Sequence, residues 1–194
     1  MDIKLSWICL YFLLFFTVQE RSEACNWMIS QYRAKNDYCL SLLNEMGGEI
    51  VPMTGNTSFP RRAYHEIEKA EVQAEDQVRF LAVATNEIII LFSAVSHVDD
   101  VKWDSRTLDN FLNILSTRQL SELRNCTSTY AERARRSSTE KKLRKHFKDL
   151  RKYLKNSNYS ADSLERIRSV VQRHLWRMDT IAAIVKQKLL ERTN

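Results

Sequence analysis

Residues that break regular structure are scarce in this chain and lie close together. The 194 residues include three glycines and two prolines, and all five fall between Gly47 and Pro60. β-Sandwiches, barrels and propellers place Gly and Pro at their many tight turns, so this distribution excludes most of these folds. With 44% hydrophobic and 28% charged residues, the chain suits one globular domain rather than a disordered or multi-span membrane protein.

The first 24 residues have the pattern of a secretory signal peptide. Lys4 is followed by an apolar run from Leu5 to Val18, which is shorter than the roughly 20 residues needed to span a bilayer. The triplet Ser22-Glu23-Ala24 then places small residues at the positions that favour cleavage after Ala24. A buried or anchoring N-terminal helix is the alternative. We expect residues 1–24 to be removed and residues 25–194 to form a single secreted domain.

Five segments have apolar residues at spacings of three and four, which predicts five amphipathic main helices and an all-α fold. The segments are residues 26–46, 74–95, 104–126, 140–155 and 161–190. The second is apolar nearly all round over residues 88–92, so it is expected at the centre of the bundle. A short additional helix is predicted from Arg61 to about residue 69.

The helix ends carry recognisable signals. Gly47 and Gly48 follow the first helix, where a glycine in the left-handed conformation is common. Asp104 or Ser105 can cap the third helix, Thr139 the fourth and Ser160 the fifth.

Two connections are long, and both bear on the topology. Residues 47–60 contain every Gly and Pro, and residues 127–138 are polar and basic, which indicates a mobile connection. Long links after the first and third helices favour a cytokine-type bundle with crossover connections over an up-down array.

An exported chain without Cys9 retains Cys25, Cys39 and Cys126, enough for one disulfide and one free thiol. Pairing Cys25 with Cys126 would join the start of the first helix to the end of the third. Pairing Cys39 with Cys126 is the rival, although Cys39 lies on an apolar stripe and suits a buried thiol.

Three N-x-Ser/Thr sequons predict surface N-glycosylation in an exported protein. They begin at Asn56, Asn125 and Asn158. The Asn125 sequon is the weakest, because its middle residue is Cys126.

Basic residues dominate the stretch from Arg133 to Lys155, which contains only Glu140 and Asp149 as acids. One hypothesis is that the protein acts by binding polyanions, either glycosaminoglycans or anionic membranes, as a direct antimicrobial. The same stretch keeps a regular apolar stripe, however, so its charges are explained by the solvated side of a packed helix. Weak glycosaminoglycan binding is then expected as a secondary property.

Enzymatic motifs are absent from the sequence. There is no Gly-rich phosphate loop, and His65-Glu66 is not followed by the second histidine of a His-Glu-x-x-His zinc motif. The sequence therefore predicts no catalysis, no cofactor and no metal site. Surface or boundary positions are expected for His65, His97, His146 and His174, and core or boundary positions for Trp27, Trp103 and Trp176.

Several separate stretches resemble type I interferons. Their third helix is similar to residues 103–126, WDSRTLDNFLNILSTRQLSELRNC, and the junction of their fourth and fifth helices to residues 141–168, KKLRKHFKDLRKYLKNSNYSADSLERIR. The start CNWM at Cys25 and the stretch LLNEMGG ending at Gly48 are most similar to the interferons of bony fishes. The resemblance covers essentially the whole chain after residue 24.

The resemblance implies a monomeric helical cytokine that binds a two-chain class II cytokine receptor and induces antiviral gene expression through receptor-associated kinases. Neither nucleic acid nor membrane insertion has a part in this activity. In the family, the first cysteine pairs with the cysteine ending the third helix, which corresponds to Cys25 and Cys126. A second family bridge is absent, because Ala161 and Asp162 follow Tyr159-Ser160.

Basic residues on the last helix bind one receptor chain in relatives, and Arg168 and Arg173 stand at matching positions. Both lie off the apolar stripe, so the pattern by itself indicates a solvated face. Arginine on a rigid helix is also a common interface anchor. We therefore predict Arg168 and Arg173 as receptor-binding residues.

Overall fold

The computed structural model describes residues 25–50, 59–96, 102–127 and 137–192. Helices account for the regular structure of these residues, and no strand occurs among them. In chain order they are α1 (Asn26–Ser30), α2 (Tyr32–Glu45), α3 (Arg61–Ile67), α4 (Ala74–Val95), α5 (Ser105–Asn113), a π-helical segment (Ile114–Leu120), α6 (Ser121–Thr127), α7 (Ser138–Asn156) and α8 (Ala161–Glu191). The all-α prediction is confirmed, and helices occupy all six predicted segments. We call residues 46–60 the first loop.

Two of the predicted helices are interrupted. The first is broken at Gln31, whose φ of −127° is not helical. The third contains the π-helical segment. Within that segment the Ser116 and Thr117 hydroxyls donate to the carbonyl oxygens of Leu112 and Asn113, each at 2.8 Å. Hydroxyls that bond the preceding turn compete with the regular ladder and distort helices.

The expected caps are confirmed at two helices and differ at a third. Asp104 and Ser160 each accept a hydrogen bond from the backbone N–H three residues on, at 2.7 and 3.4 Å. At α7 the cap is Ser137, whose hydroxyl accepts from the Glu140 N–H at 3.1 Å. The helix starts too early for Thr139 to cap it, and Thr139 is buried in its first turn.

Helix α4 lies at the centre of the bundle, as predicted. It packs against α6, α7, α8 and the π-helical segment, and Ile88, Leu91 and Phe92 are wholly buried. By length and mean hydropathy alone it could cross a membrane. Burial among four neighbours identifies it instead as the core helix of the bundle.

A disulfide joins Cys25, just before α1, to Cys126 in α6 across 101 residues. Cys39 is a free thiol with no exposed surface. Burial raises the pKa of this thiol to about 12, so it stays protonated and unreactive at neutral pH. Of the two disulfide pairings considered from the sequence, the structure therefore has Cys25–Cys126 and not Cys39–Cys126.

Candidate functional site

The outer face of α8 carries an exposed aromatic side chain among polar neighbours. Trp176 is 55% exposed, more than any other large hydrophobic residue in the described part of the chain. Residues four apart share a helix face, which places Gln172 and Thr180 one turn to either side of the indole. A tryptophan buries a large area when a partner covers it and is a frequent interface anchor. This face is therefore suited to contact with another protein.

Two arginines beside Trp176 are held over aromatic rings. The guanidinium carbon of Arg173 lies 4.8 Å from the centre of the Phe59 ring, and that of Arg177 lies 5.7 Å from the centre of the Tyr64 ring. A side chain that is already ordered loses less entropy when a partner binds. We call this surface the Trp176 face; it consists of Phe59, Gln172, Arg173, Trp176, Arg177 and Thr180.

A buried aromatic cluster fixes the end of the first loop to α8. The Phe59 ring stacks on Tyr64, with ring centres 5.2 Å apart, and lies 4.6 Å from the centre of the His174 ring. The Tyr64 hydroxyl and His174 Nδ1 are 2.6 Å apart, and Nε2 of His174 lies 3.1 Å from Nε2 of His146. Each contact needs only one proton, so both imidazoles can stay neutral.

This cluster corrects the expectation for two histidines. His174 is fully buried and His146 nearly so, whereas His65 is exposed as expected and His97 lies outside the described residues. The pattern of apolar residues does not show this burial. It is tolerated because the ring nitrogen atoms find partners on other helices: His146 and His174 meet through their Nε2 atoms, and Tyr64 meets Nδ1 of His174.

Arg168 belongs to the core, so the expectation that it lies on a solvated, receptor-binding face is wrong. Its side chain has no exposed surface. Nε and Nη2 donate to the Leu43 carbonyl oxygen at 2.9 and 2.7 Å, Nη2 also donates to that of Asn44 at 2.9 Å, and Nη1 donates to that of Gly48 at 2.8 Å. The carbonyls at the end of a helix lack helical N–H partners. Arg168 supplies those partners for α2.

Glu165 and Gly47 complete the surroundings of this guanidinium. Glu165 forms an ion pair with Arg168, and its other carboxylate oxygen accepts from Trp103 Nε1 at 2.9 Å. A Cβ on Gly47 would lie 2.6 Å from Arg168 Nη1 and 2.7 Å from Trp103 Cδ1. Glycine is therefore required at position 47 because any larger residue would clash with these two side chains. The expectation of a left-handed φ at Gly47 is wrong. Arg168 and Phe59 together attach both ends of the first loop to α8.

The state of His174 makes stability depend on pH. Burial lowers the pKa of His174 well below its usual value, and the nearby His146 and Arg173 lower it further. In the unfolded chain this ring takes up a proton near pH 6.5. The free energy of unfolding is therefore not reduced by this ring above about pH 6.5. It falls as the pH drops from there towards the lower pKa that His174 has in the folded protein.

We expect the wild type to lose stability relative to His174→Gln by up to about 1.4 kcal/mol per pH unit below pH 6.5. Urea unfolding measured in steps between about pH 7.5 and pH 5 would show this difference. His65→Gln, at an exposed ring, should follow the wild type. A stability difference that is independent of pH would contradict the assignment.

Two of the predicted glycosylation sites lie on the described surface. Asn125 and Asn158 are exposed, and Asn56 lies outside the described residues. Asn158 and Tyr159 have φ values of 50° and 52° in the turn between α7 and α8. Asparagine adopts this left-handed conformation more readily than most residues.

Of the six residues of the Trp176 face, the sequence predicts only Arg173 as a receptor-binding residue, and the two aromatic members show why the others were missed. Trp176 was expected in the core or at its boundary, whereas its side chain points away from the apolar stripe of α8. Its position between polar Gln172 and Thr180 was the available signal. Phe59 carried no signal at all, since its role arises from contacts with α3, α7 and α8.

The fold and this face define a helical cytokine: a bundle with long links, one long-range disulfide and an exposed aromatic anchor. In the described residues, no group of three or more His, Cys, Asp or Glu side chains could hold a metal ion. The family model of the interferon alpha/beta domain matches residues 28–185. The chain belongs to the interferon alpha/beta family, and among type I interferons it resembles those of fishes.

Individual relatives agree with this assignment. Interferon a3 of Oncorhynchus mykiss is 38% identical over 179 residues, which cover 92% of this chain and 95% of the trout protein. The structure of zebrafish interferon 1 matches with a TM-score of 0.76 at 40% identity, over 83% of this chain and 99% of that one. Zebrafish interferon 2, with a TM-score of 0.59 and 23% identity over 75% of this chain and 95% of that one, shares the fold.

Proposed function

We propose that this interferon is secreted after removal of residues 1–24 and that its Trp176 face binds one chain of a two-chain class II cytokine receptor. Interferons are cytokines that act by binding receptors, and an exported cytokine meets them at the cell surface. The observation that carries the proposal is the exposed Trp176 beside two arginines that are already ordered. Arg173 remains a receptor contact in this proposal, whereas Arg168 does not.

A monomer binds the second receptor chain through another surface. Once the first chain is bound, the second binding event takes place within one complex at the membrane, so modest affinity for the second chain suffices. The paired receptor tails then activate their associated kinases and antiviral genes. N-glycosylation is proposed at Asn125 and Asn158, which are exposed, and at Asn56. No catalysis, cofactor or metal enters this activity.

Replacing Trp176 with Ala should weaken binding to one receptor chain by about 2 kcal/mol or more, roughly thirtyfold in Kd. Arg173→Ala should have a smaller effect on the same chain. Surface plasmon resonance with each purified receptor ectodomain would measure both variants, and antiviral transcripts in responsive cells would show the consequence.

The other receptor chain serves as the internal control, because its affinity should not change. Thermal unfolding of Trp176→Ala should stay close to that of the wild type, since an exposed indole contributes little to the core. Unchanged affinity for both chains in both variants would overturn the proposed site.

A further inference from the structure

We propose that the solvent-exposed side of α7 binds a sulfated glycosaminoglycan. Five lysines follow one another along this side at spacings of four, three, four and three residues, so they share one face of the helix. All five are exposed. We call them the lysine stripe: Lys141, Lys145, Lys148, Lys152 and Lys155. At 1.5 Å per residue the stripe is about 21 Å long.

The lysine stripe carries charge that the bundle does not neutralise. Glu87 accepts from Arg144 at 3.2 Å and from Arg151 at 2.8 Å, and Glu66 accepts from Lys142 at 3.0 Å. None of the stripe lysines has an ion-pair partner in the described part of the chain. The basic residues beside the stripe therefore form ion pairs with carboxylates of the same molecule, while the lysines of the stripe remain available to an external polyanion.

A cleft beside the stripe adds further positive charge. It has a volume of about 470 Å³ and lies between the start of α3 and the middle of α7. Arg61, Arg62 and Lys145 line it, with Asp149 as the acid on its wall. Both arginines are exposed, and guanidinium groups bind flat oxyanion faces through paired N–H donors. A sulfate group of a polysaccharide bound along the stripe could therefore enter this cleft beside Lys145.

The composition of α7 favours a polysaccharide over a membrane or a nucleic acid. Its apolar residues Leu143, Phe147 and Leu150 are wholly buried in the core, so none is available to enter a bilayer. The stripe contains no aromatic residue on which a base could stack. A row of lysines with neither exposed apolar residues nor stacking aromatic residues suits a linear polysaccharide whose negative charges are spread along its length. Sulfated polysaccharides at the cell surface are the polyanions that a secreted cytokine meets.

This inference rests on the proposed secretion of the protein, but it goes beyond receptor binding and does not depend on it. The lysine stripe includes no residue of α8, and Phe59 is the residue that the cleft and the Trp176 face share. Protein held by a glycan along the stripe would keep Trp176 exposed. Binding to matrix and binding to receptor should therefore be separable by substitution.

The test compares two triple variants that lose the same charge. Lys145, Lys148 and Lys152 are changed to Gln in one, and the exposed Lys69, Lys102 and Lys186 are changed to Gln in the other. On immobilised heparin, the stripe variant should elute at clearly lower salt and bind at least about tenfold more weakly. The slope of log K against log salt should fall in magnitude by about two to three, as expected when three lysine–anion contacts are lost. The control variant should elute close to the wild type.

Three outcomes would overturn the proposal. The first is equal elution of the two variants, which would show that only overall charge matters. The second is loss of wild-type heparin binding at physiological salt, and the third is equally tight binding to vesicles containing anionic lipid. Receptor signalling should be intact in the stripe variant, so a failed heparin test leaves receptor binding untouched, and the reverse also holds.

Discussion

Replacing Arg168 with Ala should lower the free energy of unfolding by about 3–5 kcal/mol. The substitution leaves the carbonyl oxygens of Leu43, Asn44 and Gly48 without their donors and removes the counter-ion of Glu165. A buried group that loses its partner keeps the full cost of its desolvation. Denaturant unfolding followed by circular dichroism would measure the loss.

Two further variants show whether geometry or charge matters at this position. Arg168→Lys keeps the charge but has no planar fork to reach three carbonyl oxygens, so it should recover only part of the lost stability. Gly47→Ala should also destabilise the protein, because the new methyl group overlaps the guanidinium. Arg166→Ala, which removes a solvent-screened surface pair with Asp162, should destabilise the protein far less than Arg168→Ala.

The contrary result would be an Arg168→Ala protein as stable as the wild type but weak in receptor binding. That outcome would place the side chain on the surface, as its position off the apolar stripe first suggested. Binding measurements on this variant need folded protein, so its unfolding curve has to be recorded first.

Removing the disulfide should lower the free energy of unfolding by about 4–5 kcal/mol, the largest effect expected here. A bridge across 101 residues removes many conformations from the unfolded chain, and in the chain-entropy model this contribution grows with the size of the closed loop. The variant with Cys25→Ser and Cys126→Ala should melt about 10–20 °C below the wild type in calorimetry.

Cys39→Ala provides the matched control. It removes a buried sulfur without opening a covalent link, so its cost should be about 1 kcal/mol. Treating the wild type with a reductant should reproduce the loss seen in the double variant and should leave that variant unchanged. A double variant no less stable than Cys39→Ala would mean that the bridge does not restrain the unfolded state.

The helices themselves could be predicted from local information. The spacing of apolar residues identified the segments, and the side chains at Asp104 and Ser160 identified two of the starts, because helix periodicity and capping depend on neighbours within one or two turns. The central position of α4 followed from apolar residues on nearly all its sides. The resemblance to interferons supplied the disulfide pairing and the class of partner.

Contacts between distant parts of the chain decided what the sequence could not. Arg168 and Arg173 both lie off the apolar stripe, yet one is enclosed by the end of α2 and the other is exposed over Phe59. His174 is buried because His146 and Tyr64 meet it from two other helices. Residue type and helical spacing determined which segments fold as helices and which side chains carry charge. Whether a charged side chain serves the core or the surface depended on partners more than 100 residues away, since burial of a polar group is tolerated only where such partners satisfy it.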